Sequence, residues 1–310
     1  MITSEQKYWW RIALELKMRK SSGDAFQDFF STMMTVAYGS DFIRVRAFGV
    51  KGDKGCDGYL QSTGKVFACY GAINAASDKI NYLIAKMGND FAKALKEIAA
   101  IMKEWHMVHN LVDGLPTDAI LKLDELKVTN KGHKFGFIGM EGFEETIFAL
   151  DKDKIDGLLG MAATARDAQN LQPTELRDLV AAVVAAADAN PIDLSNIRPV
   201  PAGKLDFNKL PGHWRSMIAG GWQNAHLVER YLSNHHDPLT GERIAQRFRV
   251  RYQYFKEQNL APGTIMSALY EEVTGIGIVA PQRQVAAQAL LAHLFESCDI
   301  FEEPPTKAAS

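Results

Sequence analysis

Residues 49–70, GVKGDKGCDGYLQSTGKVFACY, constrain the fold of this chain more than any other stretch. Asp57 stands in a glycine-rich lead-in with Gly52, Gly55 and Gly58, and an apolar run from Lys65 to Tyr70 follows the turn residues Ser62, Thr63 and Gly64. This pattern predicts a hairpin of strands 57–62 and 65–70. The flanks supply what must cover it. Residues 42–48 alternate Ile43, Val45 and Ala47 with Arg44 and Arg46, which predicts another strand. Upstream, Tyr8, Ile12, Glu15, Leu16 and Arg19 recur at helical spacing within residues 4–20. Gly23-Asp24 opens a second helix, Ala25 to Tyr38, and Gly39 closes it. Downstream, Ser77 is placed to cap a long helix reaching about Trp105, with Ile80, Leu83, Ile84, Met87, Phe91, Leu95, Ile98 and Ile101 on its stripe. A short strand, Met107 to Val112, interrupted by His109-Asn110, comes next. The order is helix, three strands, helix, strand.

Beyond Gly114-Leu115-Pro116 the spacing predicts a helix at 117–127, a strand near Lys134–Met140, a helix at 141–150 and a helix at 173–189 that starts at Pro173-Thr174-Glu175. Pro191, Pro199 and Pro201 mark the stretch from Ala189 to Gly203 as the best linker. The remainder reads as helices at 206–211, 213–235, 240–258, 262–275 and 281–297, with the tail EEPPTKAAS disordered. The division expected is a first domain over 1–172, a helix and Pro-rich linker over 173–203, and a helical domain over 204–310.

A length of 310 residues suits about two domains, and 47% hydrophobic with 23% charged residues is ordinary for a globular chain. A net charge of −2 argues against a surface that binds polyanions everywhere. Cys56, Cys69 and Cys298 lack metal-binding spacing and point to a reducing compartment. The charged N-terminus is unlike a signal peptide, and no apolar run is long enough to span a membrane, so a cytoplasmic location is expected.

Of the residues able to do chemistry, Asp57 stands first. Its carboxylate suits one or two Mg²⁺ ions that orient water against a phosphodiester, and the neighbouring glycines let backbone approach a phosphate. Asp53 either assists or caps its own turn. The plainer reading is a turn-rich hairpin and nothing more. His106 and His109 fall on opposite faces of a strand, a poor metal pair, while His235-His236 reads as a helix end. Arg243, Arg247, Arg249, Arg251 and Lys256 form the best local patch for acidic partners, although such a run is more often a solvated face. There is no P-loop, dinucleotide glycine motif or nucleophile elbow.

The stretches GDAFQDFF, GVKGDKGCDGY, VFACYG and HNLVDGLP resemble a restriction-endonuclease-like family of bacterial conflict systems. The resemblance implies an α/β PD-(D/E)XK domain with an αβββαβ core, Asp57 as the metal-binding acid and magnesium or manganese as cofactor. It also implies that Gln27, on the helix before the sheet, reaches toward the metal. Such sites carry an acid or Gln and, two residues on, a Lys on the second strand. Here those slots hold Ala68 and Tyr70. Tyr is a trait of these relatives, whose motif is Gln-Cys-Tyr, whereas Ala68 departs from them. A phenol carries no positive charge, so Lys79 or Lys86 on the following helix is the candidate replacement. For each lysine the plainer reading is a solvated helix face, and for Gln27 a surface glutamine.

The stretches YLSNHHDPLTGE, FRVRYQYF and AAQALLAHLFESCDIFE resemble the shared C-terminal domain of ABC-three-component systems, to which Lamassu-type phage-defence systems belong. This second resemblance implies an effector docked on an SMC-like ABC ATPase and a small third subunit. It further implies that the complex holds the effector inactive and releases it when foreign or damaged DNA is sensed, with double-stranded DNA as the expected target. The incomplete single-chain site separately suggests that released copies self-associate to build or complete it. The competing expectation is a catalytically degenerate nuclease fold that binds DNA or acts as a scaffold. A stand-alone restriction enzyme leaves the helical half without a role.

Overall fold

The computed structural model describes residues 2–46, 54–73, 80–185, 203–297 and 299–304. The chain falls into two compact units, Leu14–Leu158 and Met1–Ala13 with Leu159–Ser310. It is mostly helical, with one small mixed sheet and a helical C-terminal region.

In the first unit the elements run α1 (Ser4–Lys20, entering at Leu14), α2 (Gly23–Tyr38), β1 (Phe42–Arg44), β2 (Gly58–Leu60) and β3 (Lys65–Tyr70). They continue as α3 (Ile80–Ile98), β4 (Glu104–His109), α4 (Thr117–Thr129), β5 (Lys134–Ile138), α5 (Met140–Phe148) and α6 (Lys152–Leu159). The sheet order is β1-β2-β3-β4-β5. The pairs from β1 to β3 are antiparallel, and those from β3 to β5 are parallel. Because strand side chains alternate, β3 feeds two cores. Val66, Ala68 and Tyr70 join Trp105 and Met107 of β4 under α3 and α4, where Leu83, Met87, Phe91 and Leu123 cover them. On the other face Phe67 meets Phe30 of α2 with ring centres 5.2 Å apart, and Phe26 and Phe30 in turn meet Phe143 of α5.

The β1–β3 meander, α3 and β4 occur in the expected order, with β1 and β2 shorter than expected and the junction of α3 with β4 displaced. The long helix stops at Ile98, and Trp105 belongs to β4. Parallel pairing decides this: Trp105 lies opposite Val66 and Phe135, and a buried strand position between two neighbours outweighs one more helical turn. The strand expected over 107–112 is therefore three residues early, and Asn110 follows it rather than interrupting it. The helices α6 and α7 (Ala165–Gln169) were not predicted from periodicity, being too short to show it. Ser77 and part of the expected strand 42–48 lie outside the described residues.

Asn110 ties the strand ends together. Fully buried, its side chain accepts from Ala72 N at 2.7 Å and donates to Ser21 O at 2.7 Å, Ala72 O at 2.8 Å and Met18 O at 3.1 Å. Arg19 makes a two-pronged pair with Asp113 at 2.8 and 3.0 Å and a buried pair with Glu15 at 2.9 Å.

The second unit contains α7, α8 (Pro173–Ala185), α9 (Lys204–Phe207), α10 (Gly212–Ser233), α11 (Thr240–Glu257), α12 (Pro262–Thr274) and α13 (Pro281–Glu296). The start of α1 belongs to it as well. α13 is its axis, with Val285, Leu290, Leu291, Leu294 and Phe295 buried. Gly221 lets α10 close on it: a Cβ there would lie 2.5 Å from Gln288 O and 2.7 Å from Ala292 Cβ. From α1, Tyr8 Oη accepts from Gln288 Nε2 at 3.0 Å, Trp10 Nε1 donates to Gly160 O at 3.1 Å, and the Trp9 ring lies 6.4 Å from that of Tyr270. The residues after α13 are tied down. The buried Lys204 ammonium donates to Phe295 O at 2.7 Å and Ile300 O at 2.8 Å, and Asn208 exchanges two hydrogen bonds with the Glu302 backbone. The first residue of the expected disordered tail is thus held, and residues 305–310 lie outside the described residues. Among the described residues no helix is long and apolar enough to cross a membrane.

Candidate active site

Asp57 immediately precedes β2. Its main-chain N–H donates to Phe67 O at 2.7 Å, and its carbonyl accepts from Val45 N at 3.1 Å. The β2–β3 register ends with Gly58 opposite Phe67, and the Asp57 N–H reaches that same Phe67 carbonyl. Ala68 and Tyr70 follow on the face of β3 that lies under α3. The carboxylate is buried, at 6% exposure. Gln27 Nε2 donates to Oδ1 at 2.7 Å and the Cys69 amide donates to Oδ2 at 2.6 Å. Gln27 reaches it because α2 starts against Gly71: Gly23 N donates to Gly71 O at 3.0 Å, and a Cβ on Gly71 would lie 2.6 Å from Gly23 N. The two residues singled out on separate elements are therefore in direct contact.

The other side of the site is α3. Tyr82 places its ring 6.1 Å from that of Tyr70. Two turns further on, Asp90 abuts the lead-in loop at Gly55, whose φ is +73° and whose Cβ would fall 2.1 Å from Asp90 O. No other residue type tolerates that approach. Lys86 lies between these two points and pairs with Asp90 Oδ2 at 2.6 Å. Burial pushes the Lys86 ammonium toward neutrality, but the hydrogen bond to Asp90 and the charges of Asp90 and Asp57 outweigh it and raise its pKa. Lys86 is therefore charged in the folded protein. Burial, followed by the Asp57 charge, pushes the Cys69 thiol well above its ordinary pKa, which rules it out as a thiolate nucleophile.

Asp53 and Lys79 lie outside the described residues. Tyr70 is buried in the core under α3. Asp90 is the residue that sequence reasoning missed. Its signal was an acid set among Met87, Phe91 and Ala94, which are buried, four residues after a lysine. Among the described residues no three His, Cys, Asp or Glu side chains come together as a metal cage. A magnesium ion does not require one, because it is commonly held by one or two carboxylates with waters and substrate phosphates. Asp57 fits that kind of donor set.

The remaining candidates have structural roles. His106 pairs with Glu104 at 3.2 Å, and burial holds its pKa below the usual value. Burial alone lowers His109 to about 4. His235 Nδ1 accepts from Asp237 N at 3.2 Å in the loop that ends α10. The basic run on α11 is neutralised within its own unit. Arg243 pairs with Asp237 at 2.7 Å, Arg247 with Glu272 at 2.6 Å and Lys256 with Glu302 at 2.6 Å. Arg249 pairs with Glu242 and Asp299, and Arg251 with Glu272. A patch read from one helix does not survive once the acids of neighbouring segments are placed.

Residues 174–302 match the family described as C-terminal domain 10 of the ABC-three component (ABC-3C) systems. No curated protein and no solved structure matches the chain.

Proposed function

We propose that this chain is the effector subunit of an ABC-three-component anti-phage defence complex, with a restriction-endonuclease-like domain ahead of a C-terminal docking domain. The match over residues 174–302 supports membership of such a multi-component system. The nuclease reading is carried by Asp57, a buried carboxylate held by Gln27 and the Cys69 amide at the start of β2, an inner strand of a sheet whose element order suits a PD-(D/E)XK core. Asp57, with Asp53 where it assists, would hold Mg²⁺ or Mn²⁺, and the bound ion supplies charge stabilisation and an activated water. The chain's own part is orientation and charge. Gln27 fixes the carboxylate, and Lys86 brings a positive charge near it to meet charge developing on a phosphate. Lys79 remains the second candidate for that charge. Tyr70, a phenol beneath α3, packs the site rather than supplying charge.

In this reading the docking domain holds the effector on an SMC-like ABC ATPase with a small third subunit. Release lets copies self-associate on double-stranded DNA in the cytoplasm. The test is metal-dependent degradation of plasmid DNA by the purified chain. Asp57→Ala should lower the rate by about 100-fold or more, in line with loss of a group that stabilises transition-state charge. Equal degradation by that variant removes the reading.

A second reading has its own support. Ala68 contributes no ligand and Tyr70 no cation, which suits a nuclease fold kept as a DNA-binding or scaffolding subunit. Protection of cells from phage separates the two: Asp57→Ala as protective as wild type, with a C-terminal truncation inactive, selects the scaffold.

A further inference from the structure

The place of Lys86 is set by three fixed points. One helical turn before it, Tyr82 lies against Tyr70 of β3. One turn after it, Asp90 is jammed against Gly55. Asp57 itself is two residues from Gly55, beyond which Asp90 stands. Lys86 stands between Tyr82 and Asp90, pairs with Asp90 at 2.6 Å and feels the charge of Asp57. Its side chain is 23% exposed and that of Asp90 10%, so the pair is largely withdrawn from water. Helix stability alone does not account for it. A lysine four residues ahead of an acid is the less favourable order on an isolated helix. Lys93 approaches the other oxygen of Asp90 only at 3.8 Å, and it is mostly exposed.

We propose that Asp90 is a positioning residue, which holds the Lys86 ammonium near Asp57 so that it meets the phosphate without reorganisation. The proposal rests on the nuclease reading of the same site. Gly55 completes it: by locking the lead-in loop to Asp90, it fixes the separation of Asp57, two residues on, from the pair. The charged or titratable groups that act on Lys86 are Asp90 and Tyr82 on its own helix and Asp57 from the sheet side. Substitution at Asp90 therefore frees the lysine rather than removing a ligand.

The test uses the full chain with Mg²⁺ and plasmid DNA, and compares Asp90→Asn, Asp90→Glu and Asp57→Ala with wild type. It adds the rate at which an amine-reactive reagent labels Lys86, read by mass spectrometry. Asp90→Asn keeps the side-chain shape, so thermal unfolding serves as the folding control. It should lower kcat by about tenfold with KM for DNA little changed, as expected for loss of orientation rather than of binding. Asp90→Glu should restore most of the rate. In Asp90→Asn, labelling of Lys86 should rise about fivefold, the factor corresponding to an ion pair worth about 1 kcal/mol. Unchanged kcat and unchanged labelling in Asp90→Asn, with Asp57→Ala inactive, would overturn the positioning role and spare the nuclease reading. If Asp57→Ala cleaves as well as wild type, the nuclease reading fails. The labelling then decides whether Asp90 restrains Lys86: a rise upholds that restraint, and no change sinks it.

Discussion

A single buried amide, Asn110, shows how much structure one residue can organise. It joins the α1–α2 turn, the end of β3 and the end of β4 through four hydrogen bonds. Truncation leaves the Ala72 N–H and several carbonyls buried and unpaired. Asn110→Ala should therefore cost about 3 kcal/mol, measurable as a lower urea midpoint at unchanged slope. His109 beside it sets a pH limit. The unfolded chain protonates this imidazole near 6.5, while burial lowers the folded value to about 4. Between these values the unfolded state binds more protons. The contribution is complete above about pH 6.5 and declines by about 3 kcal/mol as pH falls to about 4. His109→Phe should flatten that acid limb in denaturation curves taken across the window.

Among the elements, the pairing of α10 with α13 depends on an absent side chain. Val at position 221 would drive its Cβ into Gln288 O and Ala292. Gly221→Val should cost about 2–3 kcal/mol by forcing the helices apart, whereas Gly221→Ala should cost less, since it adds the Cβ alone. Thermal unfolding of both variants checks the order. α11 illustrates the limit of reading charge along one helix: each of its named cations meets an acid, and Glu272 alone takes two of them.

Across the whole molecule, the two units do not follow a simple division of the chain into halves. The first residues of α1 belong with Leu159–Ser310, where Trp9 and Trp10 are almost fully buried. A fragment beginning at residue 159 loses both indoles from its core, at several kcal/mol each by the usual cost of deleting a buried tryptophan. It should melt well below the intact chain. Adding back a peptide of residues 1–20 should raise its midpoint, as measured by circular dichroism. A family match that starts at residue 174 therefore spans less than the folded unit that contains it.

The order of helices and strands around residues 42–109 was legible in the sequence because it rests on local physics: glycine at turns, alternation in strands, and a threefold-to-fourfold stripe in helices. The same local cues located the helices from Gly212 to Glu296 to within a few residues. That Gln27 reaches toward the Asp57 site came only from the family resemblance, against a plainer reading of a surface glutamine, and the structure places the two in contact at 2.7 Å. Only the tertiary structure decided where α3 yields to β4, which acids neutralise α11, and that Asp90 reaches both Lys86 and Gly55. Each of these depends on pairings between residues far apart in the chain or on different faces of packed elements. Periodicity along one segment holds no information about the segment that will lie across from it.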